Sequence, residues 1–187
     1  MPTAKKIMNI AKKMMAQQGF NGTTVSQIAR KAQISTKTFY KFFTHKEALL
    51  EEIFITELKK QHNFYFNMKN WHIDWFLKIN GILNFHLQEL QTEPETPLLL
   101  LRERTNPALN QEKIQAKFKE LTQLLASILE QAVAEQKIRP CDVEATALII
   151  SGFLDALTYE FQTKKPLPLE AAIENFCLLL RQGLTTN

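Results

Sequence analysis

Between Thr24 and Lys46 the chain gathers side chains suited to touching a nucleic acid: Ser35, Thr36, Lys37, Thr38, Tyr40 and Lys41 crowd into residues 35–41, flanked by Thr24 and Lys46. Hydroxyls, a phenol and ammonium groups on one short helix match the donor and acceptor edges of the DNA major groove, which is wide enough to admit such a helix. The elements that must position them are legible. Thr24 with Gln27 forms a capping box, Thr44 with Glu47 repeats the pattern, and Ser35 can cap a helix running to about residue 42. Val25, Ile28, Ala29 and Ala32 recur at helical spacing, while Ile34, Phe39 and Phe43 supply the apolar side of the turn and second helix. Burying those residues leaves Thr36, Lys37, Thr38, Tyr40 and Lys41 facing outward. Two helices joined by a four-residue turn are a helix-turn-helix, with Ser35, Thr36, Lys37 and Thr38 as base readers and Lys37 directed chiefly at guanine.

Over Gly19-Phe20, Thr23-Thr24-Val25, Ile28-Ala29, Ala32, Ser35, Thr38-Phe39-Tyr40, Phe43, Lys46-Glu47 and Leu49 the chain resembles the TetR family of bacterial transcriptional regulators. The pattern is long and gapless. By that resemblance Thr24, Tyr40 and Lys46 contact phosphates, and the protein represses transcription until a ligand relieves it. Two positions depart from the family's pattern. Gln33 stands where the turn often has glycine, which implies a side chain near positive φ at a cost of about 1 kcal/mol. Lys37 stands where a small residue is common, which implies an altered sequence preference.

Charge agrees with this placement. Residues 1–50 hold nine Lys/Arg against the single acid Glu47, a net charge of +8, whereas the remaining 137 residues carry −4. A polyanion partner is therefore expected at one end only. With 45% hydrophobic and 22% charged residues the composition excludes a disordered chain. Cys141 and Cys177 are far apart without metal-ligand spacing and read as reduced thiols. Five glycines and no Gly-rich loop argue against nucleotide folds, and no HExxH, CxxC or serine-nucleophile context occurs. Neither a signal peptide nor a membrane-spanning run is visible, so a cytoplasmic protein without membrane, metal, cofactor or catalytic residues is expected.

The first helix is expected over about residues 3–18, with Ile7, Ile10, Ala11, Met14 and Met15 inward, Gly19 ending it, and Lys5, Lys6, Lys12 and Lys13 on a solvated or phosphate-facing side. A fourth helix starts at Thr44 and bridges out of the DNA-binding part. Asn70, Thr96-Pro97 and Asn106-Pro107 read as helix starts. Beyond the bridge an aromatic-rich stretch, with Tyr65, Trp71, Trp75, Ile79 and His86, suggests a pocket for a small apolar or aromatic effector. The last two helices, about residues 141–162 and 167–184, are apolar on more than one face. Ile150, Phe153, Leu157, Ile173, Phe176 and Leu180 are the candidate seam of a homodimer built as a four-helix interface.

The expected architecture is all-α with about nine helices. Residues 1–47 form a three-helix helix-turn-helix domain, and residues 48–187 a larger domain for ligand binding and dimerisation. The expected function is a dimeric DNA-binding transcriptional regulator on a pseudo-palindromic double-stranded operator, a repressor by the resemblance, with activation left open. The competing reading is an all-helical small-molecule carrier or protein-interaction module that does not read DNA. Concentration of positive charge on the helix-turn-helix speaks for the regulator.

Overall fold

A computed structural model describes residues 3–185. Among these the fold is all-α: nine helices and no strand. They are α1 (Ala4–Gly22), α2 (Val25–Ala32), α3 (Thr36–Phe39), α4 (Lys46–Asn70), α5 (Trp75–Thr92), α6 (Glu95–Glu103), α7 (Gln111–Ala134), α8 (Val143–Phe161) and α9 (Leu169–Leu184).

The helices group into two compact units. The first contains α1, α2, α3, α4 through Leu58, and the segment Glu93–Ala116 that carries α6; the second contains the rest of α4, α5, the rest of α7, α8 and α9. In the first unit Ile7, Ala11 and Met15 of α1 are buried with Ile28 of α2, Phe39 of α3 and Leu49, Leu50 and Ile53 of α4. Each of these side chains larger than alanine contributes roughly 1.5–3 kcal/mol by leaving water. In the second unit the core is Ile79, Ile82 and Leu83 of α5, Leu125 and Leu129 of α7, and inward residues of α8 and α9.

Several helix starts differ from those expected, because a neighbouring polar residue takes the capping role. Thr44 does not open α4; His45 Nδ1 accepts from the Ala48 amide at 3.0 Å. Asn70 is the last residue of α4, and Asp74 takes the Phe76 amide at the start of α5 (2.9 Å). Asn106 accepts from Ala108 in a turn, while Asn110 accepts from Lys113 and caps α7. At α6 no side chain caps: the helix starts at Glu95 behind Pro94, two residues earlier than expected, so Thr96 lies inside it and its buried hydroxyl has no hydrogen-bond partner.

Gly19 does break α1, at φ +81°, but one more turn follows before Thr23. A Cβ there would stand 2.7 Å from Arg102 Nη2 of α6, the movable end of an exposed side chain, so it is the backbone angle that requires glycine. The turn after the break is held from α6 and α4. Buried Glu103 accepts from the Phe20 amide at 3.0 Å and from Asn106 Nδ2 at 2.7 Å. Lys46 Nζ donates to the carbonyls of Phe20 and Thr23 at 2.8 Å each and lies 4.0 Å over the Phe20 ring.

Lys12 is the main surprise of α1. It is buried, and its ammonium bridges Glu57 at 2.8 Å and Glu93 at 3.2 Å. Burial works against its charge, yet the Glu57 bond and charge, followed by Glu93, outweigh that and hold its pKa above the ordinary lysine value. Lys12 is thus a structural ion, while Lys5, Lys6 and Lys13 stay exposed.

Candidate nucleic-acid interface and effector region

The helix-turn-helix is built by its caps. Thr24 Oγ1 accepts from the Gln27 amide at 3.2 Å, and Gln27 Oε1 accepts from the Thr24 amide at 2.8 Å, so the capping box is complete. Gln33 closes α2 in the left-handed region at φ 59°, the angle that its place in the turn implied. Ser35 Oγ then accepts from the Thr38 amide at 3.0 Å and starts α3. Regular α-helix stops at Phe39 rather than at residue 42. The next amides tighten, Lys41 to Thr38 and Phe42 to Phe39, as helix ends commonly do.

Phe39 is fully buried and Phe43 nearly so, which turns the rest of this segment outward. Ser35, Thr36, Lys37 and Lys41 are exposed, Thr38 is half-buried, and the Tyr40 ring is 54% exposed. Not all are equally available to a ligand. The Ser35 and Thr38 hydroxyls bond each other at 2.9 Å, and the Thr24 hydroxyl is committed to Gln27 at 3.1 Å. Thr36, Lys37, Tyr40 and Lys41 therefore keep the freest donors. Lys46 has given two of its three N–H donors to carbonyls, leaving one for a phosphate.

The five residues expected to meet an effector do not converge on one spot. All lie in the second unit. Tyr65, Trp75 and Ile79 are buried, and Trp71 is 56% exposed. His86 is half-buried, with Nε2 at 2.8 Å from Thr158 Oγ1. Since the Thr158 hydroxyl proton goes to the Leu154 carbonyl at 3.0 Å, His86 Nε2 is the donor of that bond. Burial drives the Tyr65 hydroxyl well above the usual phenol range, with the negative charge of Asp155 second. Burial also lowers the His86 pKa to about 4, against the opposing Leu154 bond and Asp155 charge. Tyr65, His86, Asp155 and Thr158 thus form a polar cluster within the unit. Asp155 and Thr158 were missed because only the fold brings them to His86. Trp71 and Trp75 belong elsewhere, to an open cleft of about 620 Å³.

The low pKa has a consequence for stability. Between pH 6.5 and about 4 the unfolded chain binds a proton at His86 that the folded chain refuses, so stability falls as pH falls through that window. The expected loss is on the order of 2–3 kcal/mol. Urea unfolding at a series of pH values should show His86→Gln flattening the acid limb; identical pH dependence in both proteins would remove His86 as its source.

On the candidate seam, Ile150, Leu157 and Ile173 are buried inside the chain's own core, so they are unavailable to a partner. Phe153 and Phe176 stack on each other at 4.0 Å and, like Leu180, are half-exposed. The outward apolar residues are Leu148, Ile149 and Tyr159 of α8 and Leu178 and Leu179 of α9. Ile149 and Leu179 are 62% and 68% exposed.

The profile of bacterial regulatory proteins of the tetR family matches residues 7–53, which span α1 to the start of α4. The chain is 26% identical to the HTH-type transcriptional regulator YhgD of Bacillus subtilis, over 98% of this chain and 97% of that one. Its fold matches the TetR family transcriptional regulator PfmR of Thermus thermophilus with a TM-score of 0.82 at 20% identity, covering 94% of this chain and 97% of that one. Residues 7–53 thus match the tetR family of bacterial regulatory proteins. The chain is a DNA-binding transcriptional regulator. The fold also matches the transcriptional regulator FadR of Bacillus subtilis, solved in complex with stearoyl-CoA, at TM-score 0.83 and 21% identity over 97% of this chain and 99% of that one. Among the described residues no helix is long and apolar enough to cross a membrane.

Proposed function

We propose that this regulator is a cytoplasmic homodimeric repressor of the TetR family that leaves a pseudo-palindromic operator when a small apolar or aromatic effector enters its second unit. The observation that carries the DNA-reading part is α3. Its Phe39 is fully buried while Thr36, Lys37, Tyr40 and Lys41 stand free on the opposite side. Two copies related by a two-fold axis would present two such helices to half-sites about one turn, roughly 34 Å, apart. Thr24, Tyr40 and Lys46 would hold phosphates, and Ser35, Thr36, Lys37 and Thr38 would face base edges, the first and last with hydroxyls already partly engaged.

A second copy is the natural cover for Ile149, Leu179 and their outward neighbours, since an apolar face this exposed on two adjacent helices marks an interface. The effector reading is supported by the Tyr65, His86 and Thr158 cluster set among apolar residues, with Trp75 and Ile79 in the same unit. FadR's stearoyl-CoA makes acyl thioesters reasonable first effectors to try. A bound effector acts only through its difference in affinity between the operator-competent and released states. Helices α4 and α7, which each contribute to both units, are covalent routes for that difference.

The test is selection of operator fragments from random duplexes, followed by gel shifts. Lys37→Ala should relax preference at one or two base pairs, at a cost of about 1–3 kcal/mol each. Weaker binding with an unchanged sequence preference would take Lys37 out of the readers, and no selected sequence at all would sink the repressor reading.

A further inference from the structure

The cleft lined by Trp71 and Trp75 has a composition that an apolar effector does not explain. It lies in the second unit where the end of α4, the start of α5 and the end of α7 come together, and its wall includes Lys69, Lys78 and Lys137 beside the two indoles. Lys78 is 95% buried by accessible surface, standing at only 5% exposure. Its ammonium has three donors, of which one goes to the Lys69 carbonyl at 2.7 Å. The two acids of the wall are already engaged: Asp74 takes the Phe76 amide at 2.9 Å, and Glu135 pairs with Lys137 at 2.6 Å. Glu135 feels the Lys78 charge without bonding it, so the cleft contains a buried cation with unused donors and no carboxylate hydrogen-bonded to it. A buried ammonium in that condition is costly unless an anion completes it. Helix α5 begins at Trp75 on the same wall, and the N-terminal end of a helix favours negative charge. Trp71, 56% exposed with Ile73 beside it, offers a flat apolar surface at the mouth.

We propose that this cleft binds a small organic anion carrying a flat ring, with the carboxylate or phosphate on Lys78 and the ring stacked on Trp71. This rests on the reading that the second unit takes a small molecule, and it narrows that molecule to an amphipathic anion. The ring and anion occur together both in aromatic carboxylates and in nucleotides, including the nucleotide end of a coenzyme A thioester.

Both tryptophans of the chain line this cleft, so their emission reports on it. With excitation at 295 nm, the whole protein is titrated with benzoate and with adenosine 3′,5′-bisphosphate, and with the neutral comparators benzamide and adenosine. A saturable change is expected for at least one anion, with affinity about tenfold above its neutral comparator, the worth of one charged hydrogen bond. Benzoate alone would identify the carboxylate source, and the bisphosphate alone the nucleotide source. Lys78→Met, checked for native helicity by circular dichroism, should abolish that preference. Trp71→Ala changes an exposed residue and keeps the fold, and it should weaken both ring ligands while Trp75 still reports.

Equal response to anion and neutral comparator, no saturable response to any probe, or a folded Lys78→Met protein with its preference intact would overturn the assignment. Gel shifts in the presence of the same probes separate it from the effector reading. Anion binding that leaves operator affinity unchanged upholds the cleft and removes its regulatory role, whereas operator release by a neutral apolar compound with silent tryptophans upholds the effector reading and removes the cleft from it.

Discussion

Ile149→Arg combined with Leu179→Arg should convert the proposed homodimer to a monomer in sedimentation velocity while its helical content stays native. Both side chains are mostly exposed in the single chain, at 62% and 68%, so neither substitution disturbs the protomer's core. In a dimer sealed by α8 and α9 they would instead bring four guanidinium groups into an apolar seam without partners, a change that strongly opposes association. Operator affinity should fall about a hundredfold or more, because each helix-turn-helix loses the effective concentration that the linked half-site provides. Ile150→Arg is the informative contrast. Ile150 is fully buried within the protomer, so that variant should fail to fold rather than merely dissociate. A double variant that remains dimeric and binds normally would place the interface on another surface.

Glu103→Ala should lower the melting temperature by about 6–12 °C, the equivalent of about 3 kcal/mol in a chain of this size. The carboxylate is buried and is the acceptor for both the Phe20 amide and Asn106 Nδ2. Alanine leaves the buried Phe20 amide without a partner and strips half-buried Asn106 of one, and an unmatched buried donor costs more than the bond itself was worth. Glu103→Gln keeps one acceptor oxygen but turns an amide N–H₂ toward Asn106, so it should fall between. An alanine variant melting with the parent would mean that water replaces the carboxylate.

Those two experiments touch different degrees of legibility. The helix-turn-helix was readable because its determinants are local: Thr24 and Gln27 are three residues apart, Ser35 and Thr38 likewise, and Gln33 sits between them in a turn whose angle the spacing demands. The clamp on α1 was not. Glu103 lies 83 residues from Phe20 and Glu93 lies 81 from Lys12, and nothing near Lys12 distinguishes it from Lys13. Helical periodicity found both apolar stripes of α8 but could not say which one the protomer keeps for itself, so Ile150 and Leu157 were assigned outward when Ile149 and Leu148 are. Helix starts were displaced where two capping residues competed within a turn, as with Asn106 and Asn110. His86 was visible as a polar residue on an apolar stripe, but its partner Thr158 is 72 residues away.

The burial of Lys12 alters how the protein's response to ionic strength should be interpreted. Nine basic residues in the first fifty suggest that many counterions leave DNA when it is bound. Lys12 displaces none, since Glu57 and Glu93 already neutralise it, and Lys46 is largely turned to backbone carbonyls. The seven others, Lys5, Lys6, Lys13, Arg30, Lys31, Lys37 and Lys41, are all exposed. Each phosphate neutralised contributes about −0.9 to the slope of log affinity against log salt concentration. From this segment, then, at most those seven set the slope per protomer, fewer where Lys37 is spent on a base edge, with at most a small addition from Lys46. The first helix can therefore be strongly basic by composition and still leave operator binding less sensitive to salt than its lysine count implies.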